Sequence, residues 1–227
     1  DYNVTFDREI MEHVSFVLHA GDKVAIVGPN GTGKTTLLRD VIKGENPAIR
    51  LGENVKMAYL SQMHGEVFDE KATVLKNFED AGFDTDDQVI AYLKTYGFEK
   101  ELIYSPVCEL SGGEKNLLQL AKISRTGAGL LLLDEPTSHL DTYSQLALEQ
   151  AVEKYNGTVL MVSHDFYTVA NCMDYVLLTE DKGLRKVSMR KFRKMIYADH
   201  FDKDYLEYEQ KKKELENRIA FALQAGK

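Results

Sequence analysis

The sequence predicts an α/β fold in which helices cover both faces of a parallel β-sheet, and three features support this prediction. Short apolar segments of strand length, such as residues 130–133, alternate with helical segments along most of the chain. One such segment, residues 24–27, runs directly into a glycine-rich loop. The chain has 227 residues, of which 44% are hydrophobic, so it can enclose a sizeable core.

The first part of the chain predicts an N-terminal antiparallel β subdomain and the start of the main sheet. Residues 1–20 alternate between polar and apolar side chains, which indicates strands or hairpins. A short buried strand is expected at residues 24–27, followed by a helix at 34–43 and a further strand at 55–60.

From residue 63 the pattern becomes helical, and residues 63–125 predict a small α-helical subdomain. Two sets of apolar residues recur there at helical spacing. They are Val74, Leu75 and Phe78 in the first set, and Val89, Ile90, Leu93 and Tyr96 in the second. Thr85 and Gln88 have the spacing of a capping box for the second helix.

The alternation of helices and strands returns after this insert. Helices are predicted at 112–125, 142–155 and 165–173, and strands at 130–134, 158–162 and 175–179. Residues 1–185 are thus expected to form one domain, with residues 186–227 as a mostly helical extension. For residues 199–225, which are polar and helical in pattern, two interpretations remain. The helix packs on its own domain, or it is the start of a linker that docks elsewhere.

Charge and composition limit the partners of the chain. The formal net charge is −8, yet residues 186–227 hold 11 Lys or Arg against 7 Asp or Glu, so the acidity lies in the preceding part. An acidic body argues against non-specific nucleic-acid binding through the whole surface, but it does not exclude binding through a local basic element.

Other features of the composition bear on location. No apolar run approaches the roughly 20 residues of a membrane-spanning helix, so no membrane insertion is expected. Cys108 and Cys172 lie far apart and outside any metal-ligand spacing, which indicates reduced thiols and a cytoplasmic location. The chain begins at Asp1 without a Met or a signal-peptide pattern, so we expect an excised domain or a processed product.

A phosphate-binding loop is predicted at residues 28–35, which match G-x-x-x-x-G-K-[ST] between a strand and a helix. Glycines allow successive backbone N–H groups to turn toward phosphates, and the helix N-terminus adds partial positive charge. Lys34 is expected to reach the β- and γ-phosphates, and the Thr35 hydroxyl to coordinate Mg²⁺. The predicted nucleotide contacts in this region are Gly28, Asn30, Gly31, Thr32, Gly33, Lys34, Thr35 and Thr36.

Two adjacent carboxylates end the apolar strand at residues 130–134. The carboxyl end of a buried parallel strand opens at the ligand crevice of an α/β sheet. Because side chains alternate along a strand, Asp134 and Glu135 point in different directions and suit different roles. Asp134 suits the Mg²⁺ shell, and Glu135 suits polarising the water that attacks the γ-phosphate.

A second glycine motif, residues 110–114 (LSGGE), starts the helix at 112–125. A capping box of Ser111 and Glu114 explains its polar residues. It does not explain Gly112 and Gly113 in the first turn, where each glycine costs about 1 kcal/mol relative to Ala. Glycine is useful there if a ligand approaches the backbone closely, and we expect that ligand to be a different nucleotide.

With these motifs in this order, residues 1–185 resemble the nucleotide-binding domain of an ATP-binding cassette (ABC) protein, a P-loop NTPase with a RecA-like core. The resemblance assigns further elements. They are an adenine-stacking aromatic (Phe6), the Walker A loop (28–35), the Q-loop glutamine (Gln62), the signature (110–114), the Walker B strand (130–135), the D-loop (138–141) and the switch histidine (His164).

Finer features are similar to the F subfamily, the soluble cassette proteins that act on ribosomes. Glu114 ends the signature, and His139 occupies the D-loop, as in that subfamily. The chain departs from the subfamily pattern at Ser138, where Asn is usual, and at Leu117, where many relatives are basic. Only one cassette is present, whereas the subfamily normally joins two through a long helical linker.

The resemblance implies two cassettes that face each other head to tail around two ATP molecules. Ser111, Gly112 and Gly113 of one cassette would donate to the γ-phosphate held by the other. Further implied roles concern single side chains. They are Glu135 on the attacking water, His164 on the γ-phosphate, Gln62 with Thr35 and Asp134 around Mg²⁺, and Asp141 in coupling the two sites.

Three functions are compatible with these sequence features. The first is a ribosome-associated ATPase, either a translation factor or a ribosome-protecting antibiotic-resistance protein. The second is the ATPase subunit of a membrane transporter, in which residues 63–109 would dock on a membrane partner. The third, a scaffold with an inactive site, is disfavoured because Lys34, Asp134, Glu135 and His164 are all present. ATP is favoured by resemblance, although no residue excludes GTP.

Overall fold

The structure, a computed structural model, describes residues 2–5, 9–60, 67–138 and 140–199. Four sets of residues named above therefore lie outside the described part, namely Phe6, Gln62, His139 and residues 200–227.

Eight strands are present in the described residues. They are β1 (Tyr2–Thr5), β2 (Glu9–Val14), β3 (Lys23–Val27), β4 (Met57–Leu60), β5 (Leu130–Asp134), β6 (Thr158–Val162), β7 (Tyr175–Glu180) and β8 (Gly183–Ser188). β1 and β2 pair as a two-stranded antiparallel sheet, as the alternating pattern predicts. The other six form one sheet in the order β4-β5-β6-β3-β7-β8, in which all pairs are parallel except β7 with β8.

Seven α-helices lie in the same residues. They are α1 (Lys34–Lys43), α2 (Asp86–Lys94), α3 (Lys100–Ile103), α4 (Gly112–Arg125), α5 (Thr142–Lys154), α6 (Phe166–Cys172) and α7 (Met189–Asp199). Two short 3-10 turns, Lys76–Phe78 and Val107–Glu109, complete the insert.

Both faces of the main sheet are buried, as the apolar strands predict. In β3, Val24 and Ile26 belong to one apolar cluster, together with residues of α1 and β2. Their neighbours Ala25 and Val27 belong to a second cluster, on the opposite face, with residues of α4, α5 and α6. The same alternation occurs in β5 and β6, so the predicted parallel α/β core is confirmed.

The prediction of a first helix in the insert, around Val74 and Phe78, is wrong, because only the 3-10 turn Lys76–Phe78 forms there. The backbone N–H of Val74 donates to Ser105 O, and that of Leu75 donates to Ile103 O. These tertiary hydrogen bonds use the donors that a longer helix would need, although the apolar side chains are still buried. The second helix forms as α2, and Thr85 Oγ1 accepts from the backbone N–H of Gln88 as predicted.

After β7 the structure adds the antiparallel strand β8, which the sequence patterns did not predict, and helix α7, which lies within the extension predicted to be mostly helical. α7 buries Phe192 and Ile196 in the same cluster as residues of α6. β8 crosses the predicted domain boundary at residue 185, and the division of the chain at that point stays a prediction. No helix in the described ranges has the length and hydropathy to cross a membrane.

Parallel pairing brings the carboxyl ends of the central strands to one edge of the sheet. Ile26 of β3 and Asp134 of β5 both register with Val162 of β6. The phosphate loop follows β3, Asp134 and Glu135 lie at the end of β5, and His164 follows β6. The fold thus gathers, at one edge, residues that are up to 136 positions apart in the chain.

Candidate functional site

The phosphate loop ends at the start of α1, which no side chain of the described residues caps. Gly33 is the N-cap of α1 with a left-handed φ of 83°, which is costly for other residues, and no described side chain accepts from the first-turn N–H groups. The first turn also has no acidic residue. The N–H groups and the helix dipole at this end are therefore available to bind an anion.

Lys34 closes over the loop in this structure. Its side chain is buried, with 5% exposure, and its Nζ donates to Gly28 O at 2.8 Å and to Pro29 O at 2.7 Å. Burial lowers the pKa of Lys34, and the charges of Glu135 and Asp134 partly offset this effect. A desolvated ammonium held by two neutral carbonyls is well placed to exchange them for phosphate oxygens.

The loop is packed tightly against its neighbours. A Cβ added to Gly28 would lie 1.7 Å from Thr179 Oγ1 of β7, so only glycine fits there. A cleft of about 390 Å³ opens beside the loop, between β2 and the turn that joins β7 to β8. The loop thus packs closely on β7 at Gly28 and borders an open cleft. Asn30 and Gly31 are exposed at its tip, while Thr32 Oγ1 donates to Pro29 O, and Thr36 is half-buried in α1.

Asp134 lies against the first turn of α1. Thr35 Oγ1 donates to Asp134 Oδ1 at 3.0 Å, although the residues are 99 positions apart. Burial raises the pKa of Asp134, the hydrogen bond from Thr35 lowers it, and the charge of Glu135 raises it again. A partly buried carboxylate beside a hydroxyl is an oxygen donor set that fits Mg²⁺, which commonly binds one or two carboxylates plus substrate phosphates.

Glu135 and His164 form a pair beside this acid. His164 Nδ1 lies 2.7 Å from Glu135 Oε2, and the backbone N–H of His164 donates to the same oxygen at 3.2 Å. Glu135 has a left-handed φ of 47°, which is unusual for a residue with a side chain. Its own N–H donates to Val162 O at 2.8 Å and holds this conformation. Strain of this kind occurs at functional sites, where it aims a side chain that regular strand geometry would direct elsewhere.

The start of α4 differs because it is capped from within. Ser111 Oγ accepts from the N–H of Glu114, and the Glu114 carboxylate accepts from Ser111 N at 2.7 Å and from Ser111 Oγ at 2.8 Å. Among the described atoms, nothing lies within 4 Å of a Cβ added to Gly112, whereas one added to Gly113 would lie 2.8 Å from Ser144 Oγ. Gly113 is therefore explained by packing on α5, and only Gly112 presents open backbone.

Asp141 and His164 are linked through helices α5 and α6. Asp141 caps α5 by accepting from the N–H of Ser144, and Asp165, next to His164, caps α6. Gln145 Nε2 donates to Asp165 Oδ2 at 2.8 Å and so joins the two helix starts. The sequence patterns missed Gln145, since a single polar residue in a helix carries no signal by itself.

The structure thus brings together five of the predicted residues, namely Lys34, Thr35, Asp134, Glu135 and His164, at one edge of the sheet. In the described part of the chain, no hydrogen bond or ion pair joins residues 111–113 to residues 28–36. Phe6 and Gln62 stay predictions, because they lie outside the described residues.

The family whose sequence model matches this chain is described as ABC transporter, and the match covers residues 11–138. Among curated proteins, the chain is 39% identical to the ABC transporter F family member 5 of Arabidopsis thaliana, over 77% of this chain and 26% of the relative. It is 35% identical to the ATP-binding protein Uup of Escherichia coli strain K12, over 78% and 29% respectively. Identity is also 35% to the energy-dependent translational throttle protein EttA of that strain, over 91% and 36%.

The chain therefore spans about a quarter to a third of the length of these relatives. A solved structure with the same fold is that of the ATP-binding cassette MJ0796, described as a dimer in a post-hydrolysis state bound to ADP and Pi. It is 20% identical, with a TM-score of 0.62, over 80% of this chain and 91% of that one.

Proposed function

We infer the function from the premise that this chain belongs to the ABC transporter family, whose members carry an ATP-binding cassette and hydrolyse ATP. We propose that the chain is one Mg²⁺-dependent ATPase cassette that closes head to tail on a second cassette, and that this cycle serves a ribosome-associated protein. The observation that carries the proposal is the convergence of Lys34, Asp134, Glu135 and His164 on an uncapped helix start.

Nucleotide binding starts at the phosphate loop. The N–H groups at the start of α1 would donate to the phosphates, and Lys34 would transfer its Nζ from the Gly28 and Pro29 carbonyls to phosphate oxygens. Because Lys34 is partly desolvated by its own fold, little further desolvation is needed when the anion arrives. The close approach of Thr179 to Gly28 supports a fixed position for the base of the loop before the ligand binds.

The residues that would hold Mg²⁺ are Thr35 and Asp134, with Gln62 as a predicted third. When bound, the ion supplies charge neutralisation and links the phosphates to the protein. The Thr35 hydroxyl donates to Asp134, so the two oxygen donors are already adjacent.

Hydrolysis would use the pair of Glu135 and His164. Phosphoryl transfer is catalysed mostly by positioning and electrostatic stabilisation, so the orientation of the attacking water matters most. The Glu135 carboxylate would accept a proton or hydrogen bond from that water, and His164, 65% exposed at its side chain, can turn from Glu135 toward the γ-phosphate. The left-handed φ of Glu135 keeps the carboxylate near this position.

Closure on a second cassette is supported by the open backbone at Gly112 and by the dimeric state of the MJ0796 structure. Ser111, Gly112 and Gly113 would donate to a γ-phosphate bound in the partner cassette. The Glu114 carboxylate accepts from the N–H and hydroxyl of Ser111, so it must release Ser111 before that residue can donate to a phosphate. Asp141 would couple the two nucleotide sites through Ser144 and Gln145 of α5.

The ribosomal role is supported by the similarity to F family members and by the word translational in the name of EttA. That name favours a translation factor over antibiotic resistance among the ribosomal roles. A cytoplasmic location accords with two free cysteines, the exposed Cys108 and the buried Cys172.

Glu135→Gln tests both parts of the proposal. Removing the carboxylate charge should leave ATP affinity within about twofold and slow turnover by about 100-fold or more, since the water loses its base. Equilibrium ATP binding and phosphate release measure these two quantities, with the exposed Glu45→Gln as the matched control.

In ATP, the Glu135→Gln protein should sediment with ribosomes more strongly than wild type. Wild-type turnover in this variant would contradict the catalytic role of Glu135. Slow turnover without ATP-dependent sedimentation would contradict the ribosomal role and leave the ATPase assignment standing.

A further inference from the structure

The region around β8 and α7 concentrates positive charge in an otherwise acidic chain. Residues 182–198 contain seven of the 28 Lys and Arg residues and none of the 36 Asp and Glu residues. The net charge of the whole chain is −8, so the remaining residues are strongly acidic. A cationic surface with acidic surroundings presents one preferred face to a polyanion.

Helix α7 exposes the cations because its apolar face is used by the core. Phe192 is 2% exposed and Ile196 is 8% exposed, and both pack with the cluster beneath the sheet. Arg190, Lys191 and Lys194 lie on the opposite, exposed side. Within the described residues, none of these three charged groups forms a hydrogen bond or ion pair, so no acid in that part of the chain neutralises them.

The neighbouring cations are held by the fold and keep this surface in place. Arg193 donates to Ala170 O at the end of α6, at 3.1 Å from Nε and 2.6 Å from Nη2. The Lys186 ammonium of β8 lies 3.6 Å from the ring centroid of Tyr175, and Arg185 pairs with Glu180. α7 is thereby fixed to α6, and β8 to β7. The three exposed cations of α7 are therefore carried on a rigid base.

We propose that this basic surface, defined by Arg190, Lys191 and Lys194 with Lys186 at its border, binds the phosphodiester backbone of RNA. Like charges one helical turn apart repel each other, which disfavours the isolated helix. This repulsion is relieved when phosphates lie against the cations. The proposal rests on the proposed ribosomal function for its biological partner. It needs no nucleotide in the ATP site.

A lipid surface fits the observations less well. A helix that lies on a membrane needs a free apolar face to insert, and the apolar face of α7 is buried in the domain. The exposed side chains that remain for a partner are Arg190, Lys191 and Lys194. Their charged groups are suited to bind solvent-exposed phosphates. RNA is thus favoured over an anionic membrane, and vesicles become an outcome of the test.

The test compares three forms of the full 227-residue chain in the absence of ATP. The first is wild type, and the second carries Arg190→Glu, Lys191→Glu and Lys194→Glu. The third is a control with the same change of charge at exposed positions elsewhere, Arg50→Glu, Lys56→Glu and Lys100→Glu. Binding of a fluorescein-labelled RNA hairpin is followed by anisotropy over a range of salt concentrations. Circular dichroism and ATP affinity show that each variant is folded.

The surface variant should lose about tenfold or more in RNA affinity at about 0.1 M salt, and the slope of log affinity against log salt should fall by about 2 to 3. The control should keep the wild-type slope. Equal slopes in the two variants, or no RNA binding by wild type, would overturn the proposal. So would charge-dependent binding to phosphatidylserine vesicles without binding to RNA. Since the assay needs no ATP, these outcomes are separate from the turnover and sedimentation results for Glu135→Gln.

Discussion

Two helices of this protein start at glycine-containing motifs, and they differ in how their N-termini are capped. α1 starts at Gly33 without a described side-chain cap or an acid in its first turn. α4 starts at Ser111 with a complete capping box, and the Glu114 carboxylate accepts from the N–H and hydroxyl of Ser111. The first helix start is an open anion site, whereas the second already holds an anion of its own.

This difference separates two kinds of nucleotide contact. The start of α1 can bind phosphate with little change beyond the movement of Lys34 from its two carbonyls. At the start of α4, the Ser111 N–H and hydroxyl can donate to a phosphate only after they leave the Glu114 carboxylate. We therefore expect one cassette to bind nucleotide alone, and the signature contact to form only when a second cassette closes.

The largest effect is expected at the open helix start. Lys34→Ala removes the buried ammonium that would bind the phosphates, and ATP affinity should fall by about 10- to 100-fold or more. Isothermal titration with ATP and Mg²⁺ measures this loss. Lys43→Ala, at the exposed end of the same helix, should bind normally. Unchanged affinity in Lys34→Ala would refute the assignment of the phosphate loop.

The capped helix start should respond differently. Ser111→Arg places a long cation where the partner's nucleotide would approach, so turnover should fall at least about tenfold while ATP affinity stays within about twofold. Ser111→Ala loses the cap without adding bulk, at a cost of about 0.5–2 kcal/mol in stability, and separates loss of the cap from obstruction. Normal turnover in Ser111→Arg would mean that the signature does not cover a nucleotide.

A pair of alanine substitutions tests which glycine of α4 is structural. The Cβ of Gly113→Ala would lie within 3.0 Å of Ser144 and Leu140, so we expect a loss of about 1–3 kcal/mol in the free energy of unfolding. Gly112→Ala meets open space and should gain about 0.5–1 kcal/mol from helix propensity. Urea denaturation distinguishes them, and equal stabilities would contradict the packing of α4 on α5.

The smallest effect concerns the acid beside Thr35. Because burial raises the pKa of Asp134 in the folded protein, the stability linked to this group is present at low pH and is lost as pH rises through that pKa. Above that pKa, the ionised carboxylate therefore opposes folding of the nucleotide-free protein. Asp134→Asn should raise Tm at pH 7, where about 2–4 °C corresponds to each kcal/mol.

The gain in Tm should shrink as the pH is lowered toward the ordinary carboxyl range, near about 4. Thermal denaturation at several pH values measures this trend, and the exposed Asp80→Asn serves as the control. A lower Tm for Asp134→Asn at pH 7 would show that the carboxylate is stabilised by its surroundings instead.

Much of the fold and the candidate site followed from local patterns in the sequence. The apolar strand before Asp134 and the loop before Lys34 predict the sheet edge at which both lie, because parallel strands end together. The contact between Glu135 and His164 is consistent with that rule, although its 2.7 Å geometry required the structure.

The remaining features depend on contacts that no local pattern encodes. The turn at Lys76–Phe78 is set by hydrogen bonds from Val74 and Leu75 to residues 103–105. Gly113 was expected to serve a ligand, and its environment at Ser144 gives it a packing role within the chain as well. β8 carries Arg185 and Lys186 at exposed positions, and it forms a strand because it pairs with β7. Its charged residues gave no strand pattern in the sequence.

We propose above all that the start of α1 is an anion site ready to receive the phosphates of ATP. A crystal structure of the full chain with Mg²⁺ and a non-hydrolysable ATP analogue tests it most directly. We predict phosphate oxygens within hydrogen-bond distance of the first backbone N–H groups of α1, with Lys34 Nζ moved from Gly28 O and Pro29 O onto them. An analogue bound elsewhere, with Lys34 still on those two carbonyls, would contradict the account.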